Sequence, residues 1–169
     1  MKKELSKELL TELKAELKNT SFATGHEIDV RQKKAPGLAR INNERDKISY
    51  NVGMDHYSLS NDKLNDILHK ISGRAPEYLI SIHTVESITN SETYPHFDTN
   101  SGLSMSILLE DGFEGADLFV DGENVNLVNE GDYVSFEGHK TKHYVTPVTN
   151  GRRKVLVLFY KYERASKLL

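Results

Sequence analysis

Tyr94-Pro95-His96-Phe97-Asp98-Thr99 begins the stretch on which the reading of this chain turns. The stretch ends at His143-Tyr144-Val145-Thr146-Pro147-Val148-Thr149-Asn150-Gly151-Arg152-Arg153, and an apolar run over 155–159 follows. A His and an Asp at i and i+2 on an extended chain share one strand face, because strand side chains alternate with period two. Sheet pairing can bring a second His alongside, giving two imidazoles and one carboxylate. An Arg on the following strand adds a planar fork shaped for a carboxylate.

The flanking sequence supplies the sheet. After Pro76 the chain reads as short strands over 78–85, the 96–98 segment, 103–109, 116–120, 125–128, 132–136 and 155–162. Asp111-Gly112, Asp121-Gly122, Glu130-Gly131 and Asn150-Gly151 separate them as turn dipeptides. Before Pro76 the pattern is helical. Leu5, Leu9, Leu10, Leu13 and Leu17 form one apolar stripe over 3–18. A second helix is predicted over 61–71, capped by Asn61, carrying Leu64, Ile67, Leu68 and Ile71, and ending at Ser72-Gly73. His69 lies beside that stripe and reads as structural. The expected fold is mainly β with flanking helices: a double-stranded β-helix, or jelly roll, with the helices on one sheet and the site between the two sheets. The expected organisation is a single domain over 1–169, with 1–75 as helical support and 76–162 as the jelly-roll core.

Residues 19–43 are polar and irregular, with Gly25, Pro36 and Gly37 as turn signals. His26, Glu27 and Asp29 read there as a solvated loop, and Arg31, Lys33, Lys34 and Arg40 as a charged surface cluster. Residues 51–59 support no assignment.

A length of 169 residues suits one domain with a real core. With 37% hydrophobic and 28% charged residues the composition is that of a globular chain, not a disordered one. A formal charge of −3 gives no broad basic field, so nothing argues for a nucleic-acid partner. The absence of cysteine removes disulfides, thiolate metal sites and a Cys nucleophile. No apolar run has the length of a signal segment or a membrane span, and a cytoplasmic protein without a membrane partner is expected.

Two imidazoles and a carboxylate are the facial triad of non-haem Fe(II) oxygenases, which leaves coordination positions open. His139 competes with His143 for the distal place, being four residues earlier. Gly138-His139-Lys140-Thr141-Lys142 is polar and reads as a loop or strand edge, whereas His143 begins an alternating segment into Val145, Pro147 and Val148. His143 is therefore preferred. Asn150-Gly151 is expected to make a tight turn, with Arg153 starting the next strand.

The His96–Asp98 motif, the Leu-rich strand, the block Glu114-Gly115-Ala116-Asp117-Leu118-Phe119 and the spacing from His143 to Arg153 together resemble the Fe(II)/2-oxoglutarate-dependent dioxygenases. Within that family the prolyl 4-hydroxylase-like branch is the most similar, and the match runs over about 78–162. The resemblance implies that His96, Asp98 and His143 ligate Fe(II). It also implies that Arg153, ten residues after His143, binds the far carboxylate of the co-substrate 2-oxoglutarate. Arg152 is the alternative, but Arg153 shares its strand face with Val155, Val157 and Phe159. Two departures from the pattern stand out. Gly115-Ala116 replaces a usual Gly-Gly, an exchange expected to affect only local packing. A tyrosine that helps hold 2-oxoglutarate has no clear counterpart, leaving Thr84 or Tyr94 to supply the hydroxyl.

The implied reaction consumes 2-oxoglutarate and O2, releases succinate and CO2, and hydroxylates a substrate. The carboxylate at Asp98 favours hydroxylation over halogenation, because a small residue there would admit a halide. A prolyl residue of a protein or peptide is the implied substrate, with free amino acids and other small molecules as alternatives. Residues 19–43 and 88–93 are the expected substrate-facing segments. A non-catalytic cupin-like metal-binding module is the reading from another class, although the His and Glu spacing usual for it is not evident.

Overall fold

The computed structural model describes residues 1–20, 47–51, 62–90 and 92–162, with the backbone alone for 47–51 and 88. The described residues form β1 (Lys3–Glu4), α1 (Lys7–Lys18), β2 (Lys47–Asn51), α2 (Asp62–Ser72), β3 (Leu79–Ile88), β4 (Thr93–His96), β5 (Leu103–Glu110), β6 (Phe113–Gly115), β7 (Leu118–Val120), β8 (Glu123–Asn124), β9 (Asp132–Phe136), β10 (His143–Val145) and β11 (Val148–Tyr160). The sequence-predicted loop with His26, Glu27 and Asp29, the cluster Arg31, Lys33, Lys34 and Arg40, the stretch 52–59 and the Asn61 cap lie outside the described residues.

Ser6 starts α1 by accepting the Leu9 N–H at 3.1 Å, which satisfies one of the free amide groups of the first turn. The helix therefore begins at Lys7 rather than at residue 3. Lys3 and Glu4 instead extend along β9, opposite Tyr133 and Asp132, and cover that edge of the sheet.

One sheet has the order β1-β9-β5-β11-β3-β2, with β6 on the first part of β11, and the other has the order β4-β10-β7-β8. Every pairing is antiparallel. From β3 onward the chain passes from the large sheet to the small one and back, through β3, β4, β5, β7, β9, β10 and β11. This alternation is the double-stranded β-helix. α1 and α2 lay Leu13, Leu64, Ile67 and Leu68 on the outer face of the large sheet, against Ile82, Met105, Ile107, Leu156 and Leu158. Each such side chain gives roughly 1.5–3 kcal/mol on full burial. The inner face packs Leu108, Val134 and Val155 against Leu118 and Val120 of the small sheet. Among the described residues no helix is long and apolar enough to cross a membrane.

Two expected elements differ. Residues 125–128 do not form a strand: Asn126 has φ +52 and its N–H donates to the Asn124 side chain at 2.9 Å, a local turn that breaks the extended chain. Asn150-Gly151 does not reverse the chain either. It lies inside β11, where Gly151 at φ +80 bends the strand as it leaves β6 for its long pairings with β3 and β5.

Ala116 is buried at φ +53, so a residue with a Cβ occupies the left-handed region where glycine is unstrained. The Gly115-Ala116 exchange thus touches the backbone as well as packing. Gly115 cannot be changed at all without movement. At φ +75, an added Cβ would lie 2.5 Å from the Pro147 carbonyl oxygen and 2.9 Å from the Thr149 nitrogen. Gly115→Ala is expected to lower stability by more than about 2 kcal/mol, the left-handed cost plus overpacking. Urea unfolding measures this, and an unchanged midpoint contradicts it.

Candidate metal centre

β10 pairs with β4 so that His143 stands directly opposite His96. Directly opposed residues share a sheet face, which places the two imidazoles side by side with ring centres 4.2 Å apart. The third member arrives differently from the sequence expectation. β4 ends at His96, so Asp98 is not on a strand. Its N–H donates to the Gly138 carbonyl at 2.9 Å, and this contact with the segment after β9 turns the carboxylate back toward the rings. Asp98 Oδ1 then lies 3.3 Å from Nε2 of both His96 and His143. One ligand atom from each of the three residues falls within 4.8 Å of the others.

The outer nitrogens settle the chemistry of the rings. His96 Nδ1 donates to the Tyr94 carbonyl at 2.6 Å, and His143 Nδ1 donates to the Thr141 carbonyl at 2.9 Å. A neutral imidazole has one N–H, so each Nε2 is left with a lone pair facing the same carboxylate oxygen. Three electron-rich atoms converge there, and either a proton on a ring or a metal cation relieves their repulsion. The residues therefore fit a divalent metal, with each ring oriented through its other nitrogen as metal-binding histidines are.

The titration behaviour has the same origin. Burial opposes protonation of His96, but the Asp98 carboxylate and the Tyr94 carbonyl outweigh it and raise its pKa. Burial likewise acts against an ionised Asp98, yet His143, His96 and Ser104 hold its pKa well below the usual carboxylate range. A raised His contributes stability below its unfolded value of about 6.5, and this is lost as pH rises through the folded value. A depressed Asp contributes above about 3.9, and this is lost on acidification. Without metal, the melting temperature is expected to fall from pH 6 to pH 8 through His96. With Mn(II) the trend should weaken or reverse, because metal competes with the proton. Identical pH profiles with and without Mn(II) contradict this.

The triad borders a pocket of about 100 Å³ between the sheets, far more room than the 10–15 Å³ that a single water needs. Arg153 lies in its wall, only 5% exposed, with Val155, Val157 and Phe159 following on the same face. Its Nε has no hydrogen-bond partner, and among the described residues no carboxylate pairs with it. Burial alone lowers its pKa to about 10. Arg152 points the other way, its side chain 56% exposed and 3.5 Å from Glu86.

Neither hydroxyl suggested by the sequence reaches the pocket. Thr84 is opposite Leu156 and so faces the helices, while Tyr94 is exposed and is not among the residues that line the pocket. Among the described residues the pocket hydroxyls are instead Ser87, directly across from Arg153, together with Thr93, Ser104 and Ser106. Ser104 and Ser106 interrupt an otherwise apolar strand at i and i+2, a one-face signal that was legible in the sequence. His139 lies apart from the triad, its Nδ1 donating to the Ser101 carbonyl at 3.1 Å and its ring edge-on to Tyr162. Of the expected substrate-facing residues, Glu92 and Thr93 line the pocket.

No protein-family model matches the chain, and no curated protein matches it. The solved structures do show likenesses. A prolyl-4-hydroxylase from Pseudomonas putida superposes with TM-score 0.56 at 18% identity, over 96% of this chain and 92% of that one. The viral collagen prolyl hydroxylase of Paramecium Bursaria Chlorella virus-1, solved as its 2OG complex, gives TM-score 0.57 at 12% identity, over 97% and 96%. An oxidoreductase of the 2OG-Fe(II) oxygenase family from Burkholderia pseudomallei matches at TM-score 0.46 and 18% identity, over 60% of this chain; the chain spans about half of that protein's length, 53%. The described residues of this chain therefore share the fold of two prolyl hydroxylases of known structure, with the double-stranded β-helix from β3 onward.

Proposed function

We propose that the protein is an Fe(II)- and 2-oxoglutarate-dependent dioxygenase that hydroxylates a prolyl residue of a protein or peptide. The observation that carries this reading is Arg153. A buried guanidinium with no counter-ion among the described residues faces the same pocket as a two-His, one-carboxylate cluster. A fixed cation in a partly dry wall is complementary to an organic anion that also reaches the metal.

His96, His143 and Oδ1 of Asp98 hold the metal, and Arg153 receives the far carboxylate of 2-oxoglutarate. Ser87, across the ladder from Arg153, offers the neighbouring hydroxyl. Val85, Val155, Val157 and Phe159 keep the pocket apolar, which strengthens the Arg–carboxylate pairing by excluding water. When bound, Fe(II) and 2-oxoglutarate supply the oxidation: 2-oxoglutarate, O2 and a substrate C–H give succinate, CO2 and a C–OH.

The prolyl substrate is supported by the fold shared with the two prolyl hydroxylases. A free amino acid is the second reading. It is favoured by Glu92, a half-buried carboxylate in the pocket wall that can pair with an ammonium group. Succinate formation from 2-oxoglutarate, measured with Fe(II) and O2, tests the reaction. Stimulation by a proline-containing peptide, but not by free proline, supports the peptide substrate. Absence of 2-oxoglutarate binding to the Mn(II)-loaded protein overturns the reading.

A further inference from the structure

The two oxygens of Asp98 are not equivalent. Oδ1 faces both imidazoles, whereas Oδ2 lies 2.6 Å from the hydroxyl of Ser104, a residue of β5 that is 1% exposed. An ionised carboxylate only accepts, so the Ser104 proton points at Oδ2. The Ser104 oxygen is also 3.0 Å from Ser101 Oγ, itself 2.8 Å from the Leu103 carbonyl. Gly138 closes over this group with no room for a side chain above Ser104 and Asp98. The hydroxyl is thus fixed by its surroundings, and of its two acceptors the nearer and charged one is Oδ2.

We infer that Ser104 is a positioning residue that makes Asp98 a one-oxygen ligand and so keeps a coordination position open. The inference rests on the reading of the site as an Fe(II)/2-oxoglutarate centre. His96, His143 and Oδ1 would take three positions of a six-coordinate Fe(II). 2-Oxoglutarate would take two more, which would leave one for dioxygen. A carboxylate binding through both oxygens would fill that last position. Offering Oδ2 to the metal requires breaking the 2.6 Å bond to a charged acceptor and leaving the buried hydroxyl only the longer, neutral contact to Ser101 Oγ at 3.0 Å. Ser104 therefore acts on dioxygen access, while Arg153 acts on co-substrate affinity.

The test compares wild type, Ser104→Ala and Ser101→Ala, each loaded with Mn(II) and 2-oxoglutarate. Crystal structures give the number of Asp98 oxygens on the metal, and Co(II) absorption spectra report coordination in solution. Wild type and Ser101→Ala are expected to bind through Oδ1 alone, and Ser104→Ala through both oxygens with a changed Co(II) spectrum. With Fe(II), O2-dependent turnover of Ser104→Ala should fall about 10–100-fold, the usual effect of losing a ligand's partner. Its 2-oxoglutarate Kd should change by less than about threefold, since Arg153 is independent of it. Wild type binding through both oxygens overturns the inference, even if Ser104→Ala fails to fold. So does a Ser104→Ala protein with one-oxygen coordination and full turnover. Wild type that binds no Mn(II) at His96, Asp98 and His143 overturns the iron reading instead.

Discussion

His143→Ala is expected to abolish Fe(II)-dependent succinate formation, whereas His139→Ala retains most of it. Among the described residues, His143 contributes one of three converging ligand atoms, and the recorded partner of its Nε2 is Asp98 Oδ1. Removing it leaves one imidazole and a carboxylate. Losing a group that merely supports a metal ligand costs about 10–100-fold in affinity or activity, and losing the ligand itself should exceed that. Mn(II) affinity measured on the two variants separates the effect from misfolding. Deleting His139 removes a contact to the Ser101 carbonyl and a ring edge against Tyr162, both apart from the triad. Loss of metal binding in His139→Ala, with His143→Ala intact, would overturn the assignment.

Arg153→Ala should raise the 2-oxoglutarate requirement by at least about a hundredfold while leaving metal affinity in place. A carboxylate entering the pocket loses water, and the bidentate guanidinium is the group that compensates it. Removing one partner of a buried pair costs about 3–5 kcal/mol, and each 1.4 kcal/mol is tenfold. Arg153→Lys should recover only part of this, since an ammonium keeps the charge but not the planar fork. Arg152→Ala should change the requirement little, because its side chain is exposed and among the described residues pairs with Glu86. The measurement is 2-oxoglutarate Kd with Mn(II) present, checked against succinate formation with Fe(II). Equal effects of the two alanine variants would mean that the inward position of Arg153 does not matter for the co-substrate.

These two predictions were within reach of the sequence because each depends on a local rule. Alternation along 153–159 places Arg153 with Val155, Val157 and Phe159 whichever strands lie beside it. The polar run before His143 and the alternating run after it mark where a loop becomes a strand. The Leu stripe of α1 and the apolar spacing of α2 state the faces that they bury. Asp111-Gly112, Asp121-Gly122 and Glu130-Gly131 fall between strands, as their backbone preferences require.

What the sequence by itself determined was therefore the class of fold, the residue types of the triad, and which of two adjacent arginines faces in. The tertiary structure decided everything that depends on which strand meets which. The large sheet is apolar on both faces, under helices on one side and against the small sheet on the other, so alternation in β3 does not say which set points inward. Only the pairing of Leu156 with Thr84 and of Arg153 with Ser87 shows that Thr84 faces the helices and Ser87 the pocket. Asp98 reaches the two rings from beyond the end of β4 because Gly138, forty residues later, accepts its N–H. Asn150-Gly151, a turn by local preference, is held inside β11 by its pairing with β6. Local preferences of this kind amount to about 1 kcal/mol or less. A ladder of hydrogen bonds and two buried faces act together over many residues, and where the two conflict the long-range packing prevails.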